Sequence, residues 1–171
     1  MLKKIALLMM LILPMGVFAQ TLKFGHMNSQ DVITAMPEYT KAQNDFQTLQ
    51  KQLGDEFKRS QDEFNKKYQE FQQAMAKDSL PANIAERRQK ELQDMAQRQE
   101  QFQQDAQQQM EKAQADALTP IYKKLDDAIK AVGAAEGVIY IFDLARTPIP
   151  YVNESQSVNL TNKVKTQLGI K

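Results

Sequence analysis

From Pro37 to Thr119 apolar residues recur at steps of three and four, and after Pro37 the only glycine or proline residues are Gly54 and Pro81. In the first half they are Tyr39, Ala42, Phe46, Leu49, Leu53, Phe57, Phe64, Tyr68, Phe71 and Met75, with Ser60 filling one slot. The second half repeats the pattern through Ile84, Leu92, Met95, Phe102, Ala106, Met110, Ala113 and Ala117. The spacing is close to that of a straight helix and nearer an eleven-residue repeat than a heptad. Between the halves, Asp78-Ser79-Leu80-Pro81 breaks the pattern. Pro81 disfavours a helical Leu80 and suits the first turn of a new helix, capped by Ser79 or Leu80. The stretch therefore predicts an antiparallel helical hairpin over 37–119, with its tip near 78–82.

Folding the arms back on each other places Phe57 opposite Phe102, Phe64 opposite Met95, Leu49 opposite Met110 and Leu53 opposite Ala106. Nearer the tip the match fails, with Lys67 opposite Leu92 and Phe71 opposite Arg88, which predicts a loose end. Each arm would be roughly 60 Å long, at a helical rise of about 1.5 Å per residue. A two-helix seam of that length buries a stripe, not a core, so the remainder of the chain must carry it.

Residues 1–19 have the make-up of a cleaved secretory signal peptide. Lys3 and Lys4 precede the apolar run Ile5 to Leu13, and Val17-Phe18-Ala19 fits a cleavage site. The run is too short for a membrane span, and no Cys follows that could carry a lipid. Export into a space outside the cytoplasm follows, the periplasm for a leader of this bacterial style. Cys is absent from the whole chain, which excludes disulfides, thiol chemistry and Cys-based metal sites. Without the leader's two lysines, the 22 basic residues fall to 20 against 21 acidic ones. Such a balance asks for no nucleic acid partner.

The two ends, 20–36 and 120–171, read as one small body into which the hairpin is inserted. Thr21–Met27 reads as a strand carrying Leu22, Phe24 and His26. Asn28 or Ser29 can cap a short helix with Val32, Ile33 and Met36 inward. The second arm continues past Pro120, with a kink expected there, through Ile121, Leu125, Ala128 and Val132, and Gly133 and Gly137 are expected to end it. Gly137–Asp143, with Val138, Tyr140 and Phe142, reads as a buried central strand, and Thr147–Val152, with Ile149 and Tyr151, as an edge strand. Asn153–Ser157 reads as a loop, and Asn159 as the cap of a final helix with Leu160, Val164 and Leu168 inward. A body with three short strands exposes sheet edges and has little core, which points to self-association through those edges.

Enzymatic chemistry finds no foothold. His26 is the chain's one histidine, and a lone His on a short strand points to a structural role. No phosphate loop, metal-ligand cluster or acid–base pair appears, so neither a cofactor nor a metal is expected. Phe71, Met75, Leu80 and Ile84 lie near the mismatched tip, where Met and aromatic side chains suit varied apolar segments. Lys77, Arg87 and Arg88 form the tip's basic cluster, a candidate contact for anionic clients or lipid head groups. Both arms could equally serve as a plain coiled-coil seam with a solvated charged face.

The stretch Ser29 to Tyr39 ending in Met-Pro-Glu-Tyr, the hairpin, Gly137-Val-Ile-Tyr-Ile-Phe-Asp143 and the closing Asn159-Leu-Thr…Leu168-Gly-Ile-Lys171 resemble the Skp/OmpH family of periplasmic chaperones. The resemblance spans the chain after its leader. It implies an α+β, mostly α, homotrimer shaped like a jellyfish. Strands of three subunits would form the body, with Phe24, Val138, Tyr140, Phe142, Ile149 and Tyr151 on them, and the hairpins would hang as tentacles around a cavity. It further implies an ATP-independent holdase for unfolded outer-membrane proteins, with lipopolysaccharide as a further partner. The best-known members are strongly basic, whereas this chain without its leader is near neutral. Apolar capture by the arms is therefore the mechanism its composition favours. The competing reading is an envelope spacer or adaptor bridging specific partners, for which an apolar seam continuous to the tip would be the mark.

Overall fold

A computed structural model describes residues 22–77 and 80–170. The leader expected at 1–19 and the predicted cap Ser79 lie outside them. The elements in order are β1 (Phe24–Met27), α1 (Ser29–Ile33), α2 (Pro37–Ala76), α3 (Ala82–Glu136), β2 (Tyr140–Asp143), β3 (Ser157–Asn159) and α4 (Thr161–Gln167).

Local chemistry sets most of these boundaries. The Asn28 side chain accepts hydrogen bonds from the Gln30 and Asp31 amides at 3.0 and 3.3 Å and starts α1. Pro37 opens α2, where a missing N–H costs nothing. Pro81 stands at the cap of α3, so the helix starts just after it, at Ala82. At 40 and 55 residues, α2 and α3 are the long members, about 60 and 80 Å at the helical rise. Helix α3 runs on through Pro120, which can donate nothing to the Asp116 carbonyl one turn back. It stops at Gly137, whose φ of 63° is left-handed. There the Val138 amide closes back onto the Gly133 carbonyl at 3.3 Å.

The three strands form one parallel sheet in the order β2-β1-β3. This corrects the expectation of a buried central strand at Gly137–Asp143. The middle position belongs to β1, and β2 lies at an edge with Tyr140 and Phe142 exposed. Val138 precedes β2 and packs against the core instead of lying on a strand. The strand expected at Thr147–Val152 does not form, so Ile149 and Tyr151 lie in irregular chain. Pro148 and Pro150 leave that segment without the donors a ladder needs. The third strand is β3, inside what reads from sequence as a loop and a cap. Helix α4 then starts one residue later than Asn159 suggests, although the Asn159 side chain still accepts from the Thr161 amide at 3.0 Å.

One sheet face meets the helices. Met27, Val32, Ile33, Leu125, Ala128, Val132, Leu160 and Val164 form the buried core, with Val138, Ile141, Val158 and Leu168 packed on it. Fully burying one such large side chain stabilises by about 1.5–3 kcal/mol. The core thus ties both chain ends to the C-terminal turns of α3, and α2 and α3 project beyond it.

Along the projecting pair the rings of Phe57 and Phe102 stack with centroids 6.3 Å apart. One turn on, Gln99 donates to the Ser60 hydroxyl at 3.3 Å. The register is the one the apolar pattern predicts. The expected failure at Leu92 does not occur: Leu92 and Met95 are 9% and 6% exposed, the most buried residues of the distal seam. Lys67 turns its ammonium onto Glu91, with Glu63 3.8 Å away. Its methylene stem can then cover apolar surface while the charge stays in water.

Candidate functional site

Two surfaces stand out, one at each end of the molecule. The distal one grows from the spacing in α2. Phe64, Tyr68, Phe71 and Met75 follow one another at steps of four, three and four and so share a face. The rings of Phe64 and Tyr68 stack at 6.1 Å. A single partner helix covers only part of this stripe, and no residue of α2 is buried. Tyr68 remains 44% exposed and Met75 51% exposed, with Phe71 half-buried. Leu80 and Ile84, across the turn, are also half-buried. Phe71, Met75, Leu80 and Ile84 thus all lie at the hairpin's end with apolar surface open to solvent. Tyr68, with the stripe's second most exposed side chain, was missed as a site residue because its position reads as seam.

The basic residues divide. Arg87 and Arg88, in the first turns of α3, line a cleft of about 260 Å³ with Lys67, Glu70, Phe71, Glu91 and Leu92. Lys77 ends α2 and is not part of it. Within the cleft the hydrogen bond from Lys67, reinforced by the nearby charges of Lys67, Arg87 and Arg88, holds the Glu91 carboxyl below its ordinary value. Glu91 in turn raises the Lys67 ammonium. The site is therefore of mixed sign, with two acids among three bases, and not a purely cationic cradle.

The second surface is the sheet face turned away from the core. Phe24 and Tyr140, paired in register, stack at 6.5 Å with their planes 9° apart. Phe142 continues the row 6.3 Å from Tyr140. Tyr140 is 62% and Phe142 42% exposed, and Leu22, Ile139 and Leu144, just outside the strands, are exposed too. Tyr151 is exposed as well, on the irregular segment. Ile139 falls inside the strand predicted at Gly137–Asp143 without being singled out as a site residue, and Leu144 follows directly after it.

His26 lies buried on β1, and its Nδ1 is 2.9 Å from the Ser157 hydroxyl on β3. The pair links two strands whose residues are far apart in sequence. Among the described residues no group of three or more His, Cys, Asp or Glu side chains could hold a metal ion. No described helix is long and apolar enough to cross a membrane.

With this geometry established, the comparison with protein families is decisive. The family described as outer membrane protein (OmpH-like) matches residues 23–168. The chain belongs to the OmpH-like family. Among solved structures it resembles an OmpH-like outer membrane chaperone candidate from Caulobacter crescentus CB15, with a TM-score of 0.73. The two are 17% identical over 86% of this chain and 83% of that one, a level at which the likeness speaks for the fold alone. No curated protein matches. The OmpH-like assignment covers the sheet, both arms and α4 together, so both exposed surfaces lie within the family's extent.

Proposed function

We propose that this OmpH-like chain is an ATP-independent holdase chaperone of the periplasm that keeps unfolded outer-membrane β-barrel proteins from aggregating. The observation that carries the reading is the apolar stripe Tyr68, Phe71, Met75, Leu80 and Ile84, exposed on arms too slender to bury it. Three chains associate through the aromatic face and open edges of their sheets, residues 20–36 and 120–171 forming the joint body. The arms, 37–119, then surround a cavity in a jellyfish-like particle. Many shallow contacts from three arms raise effective concentration without one strong site. Arg87 and Arg88 supply a weaker contact for anionic client segments or lipid head groups, lipopolysaccharide included, tempered by Glu70 and Glu91. Lys77 contributes at the neighbouring turn. Export by a cleaved leader at 1–19 would bring the protein beside its clients, and membership of the OmpH-like family accords with this assignment.

The spacer reading keeps one observation in its favour, the burial of Leu92 and Met95, which carries the seam closer to the tip than the sequence pattern suggests. Light scattering separates the two readings. A urea-unfolded outer-membrane β-barrel protein is diluted into buffer with and without the chain. The holdase keeps it soluble in a stoichiometric complex with three chains, and replacing Phe71, Met75, Leu80 and Ile84 together by Ser lowers the amount held. A stable assembly that leaves the barrel protein to aggregate would favour the spacer.

A further inference from the structure

We infer that Met75 is a selective oxidation site through which peroxide turns down client holding; this rests on the holdase reading above. Five methionines lie among the described residues. Met27, Met36 and Met95 are buried and Met110 is half-buried, whereas Met75 shows about half of its surface to solvent. It sits in the last turn of α2, where the stripe of Phe64, Tyr68 and Phe71 ends. Exposure decides which thioether an oxidant in solution reaches first, since the sulfur is intrinsically similar in all five.

The reaction balances with hydrogen peroxide as the two-electron oxidant. The thioether sulfur attacks one peroxide oxygen, the O–O bond breaks, and an S=O bond forms. Sulfur is oxidised to the sulfoxide, and the departing oxygen leaves as water once the peroxide's protons have redistributed. A flexible apolar side chain becomes a polar one with a strong hydrogen-bond acceptor. At a core position this would disturb folding. At Met75 the added oxygen stays in water and the helices keep their packing. The change falls on the stripe itself, whose affinity for apolar segments depends on shedding water. A sulfoxide there holds its water, so clients are held less well, and a sulfoxide reductase supplied with a dithiol restores the thioether, the dithiol becoming a disulfide and the oxygen leaving as water.

The test treats the full chain and its Met75→Leu variant with limiting hydrogen peroxide. Peptide mass mapping locates the added oxygen, and light scattering with a urea-unfolded outer-membrane β-barrel protein reads holding. Met75 is expected to oxidise at least ~10-fold faster than Met27, Met36 or Met95. Holding by the treated chain is expected to fall about twofold or more and to recover with sulfoxide reductase, while the Leu variant holds equally before and after. Oxidation spread evenly over the methionines would overturn the inference. So would a Met75 sulfoxide that leaves holding unchanged. An untreated chain that never holds the barrel protein fails at the earlier step and takes the holdase reading down with it, whatever the mass map shows.

Discussion

A methyl group placed on Gly25 would lie 2.7 Å from Leu160 Cδ1. Leu160 is fully buried, so it cannot swing aside into solvent. The close approach of sheet and helices depends on glycine here, and Gly25→Ala is expected to cost about 1–3 kcal/mol, as overpacking does. Gly54 is the opposite case: it stands exposed within α2, and an added methyl meets nothing within 4 Å. Gly54→Ala should stabilise by about 0.5–1 kcal/mol through the entropy of the unfolded chain. Urea midpoints of the two variants, moving in opposite directions, check both claims. Glu136 ties the end of α3 to both chain ends, through Lys163 at 2.5 Å and Lys23 at 3.3 Å. These hydrogen bonds hold its carboxyl below the ordinary 4.5. Its folded form is thus the weaker proton binder, so its contribution is complete above about pH 4.5 and disappears as pH falls through the lowered value. Glu136→Gln should flatten that part of a stability-against-pH curve relative to the parent chain. At this scale the sequence is partly legible. Gly137 as a helix stop and Asn28 as a cap follow from local rules, but the His26–Ser157 pair spans 131 positions and no local rule connects them.

Between the arms, apolar spacing fixes the helices, and antiparallel folding about Pro81 fixes their register, which is why Phe57 meets Phe102 as the pattern predicts. The exception at Lys67 is instructive. Counting lysine as wholly polar makes its level read as a mismatch, whereas its ammonium reaches Glu91 and Leu92 stays covered. The strands were harder to read because strand residues answer to backbone donors as well as to side chains. The alternation of Ile149 and Tyr151 suggests a strand that Pro148 and Pro150 prevent, while Ser157–Asn159 pairs with β1 despite little apolar pattern. The seam itself is testable. Phe57→Ala and Phe102→Ala should each loosen the middle of the hairpin, seen as faster amide exchange in both helices around that level. A double-mutant cycle on urea unfolding should return a coupling of about 0.5–1.5 kcal/mol for the ring pair. A coupling near zero would mean that the arms part at this level in solution.

For the molecule as a whole, the decisive feature is a small sheet that uses only one face for its own core. Ile141 turns inward to that core while Tyr140 and Phe142, on either side of it in β2, turn outward. Alternation along a strand makes these two surfaces independent, so a charge can be placed on one without touching the other. The exposed aromatic residues of β2 were legible as apolar positions; their outward direction was not, because a run apolar on both faces suits a buried strand equally well. The proposed three-chain assembly needs this surface, since an uncovered aromatic face beside an open sheet edge invites association. Tyr140→Lys combined with Phe142→Lys should therefore leave the far-ultraviolet circular dichroism of the chain unchanged, while light scattering falls to the mass of one chain. Tyr68→Lys, on the arm, should leave the mass at three chains and lower only the amount of unfolded barrel protein held. If the charged sheet variant still assembles, association runs through some other surface and the arms need not converge on a shared cavity. If it separates into folded single chains that no longer hold the barrel protein, then holding depends on several arms acting together. That outcome would mean that one arm's stripe alone is too small to retain an unfolded chain, and that several give each released contact a neighbour to return to.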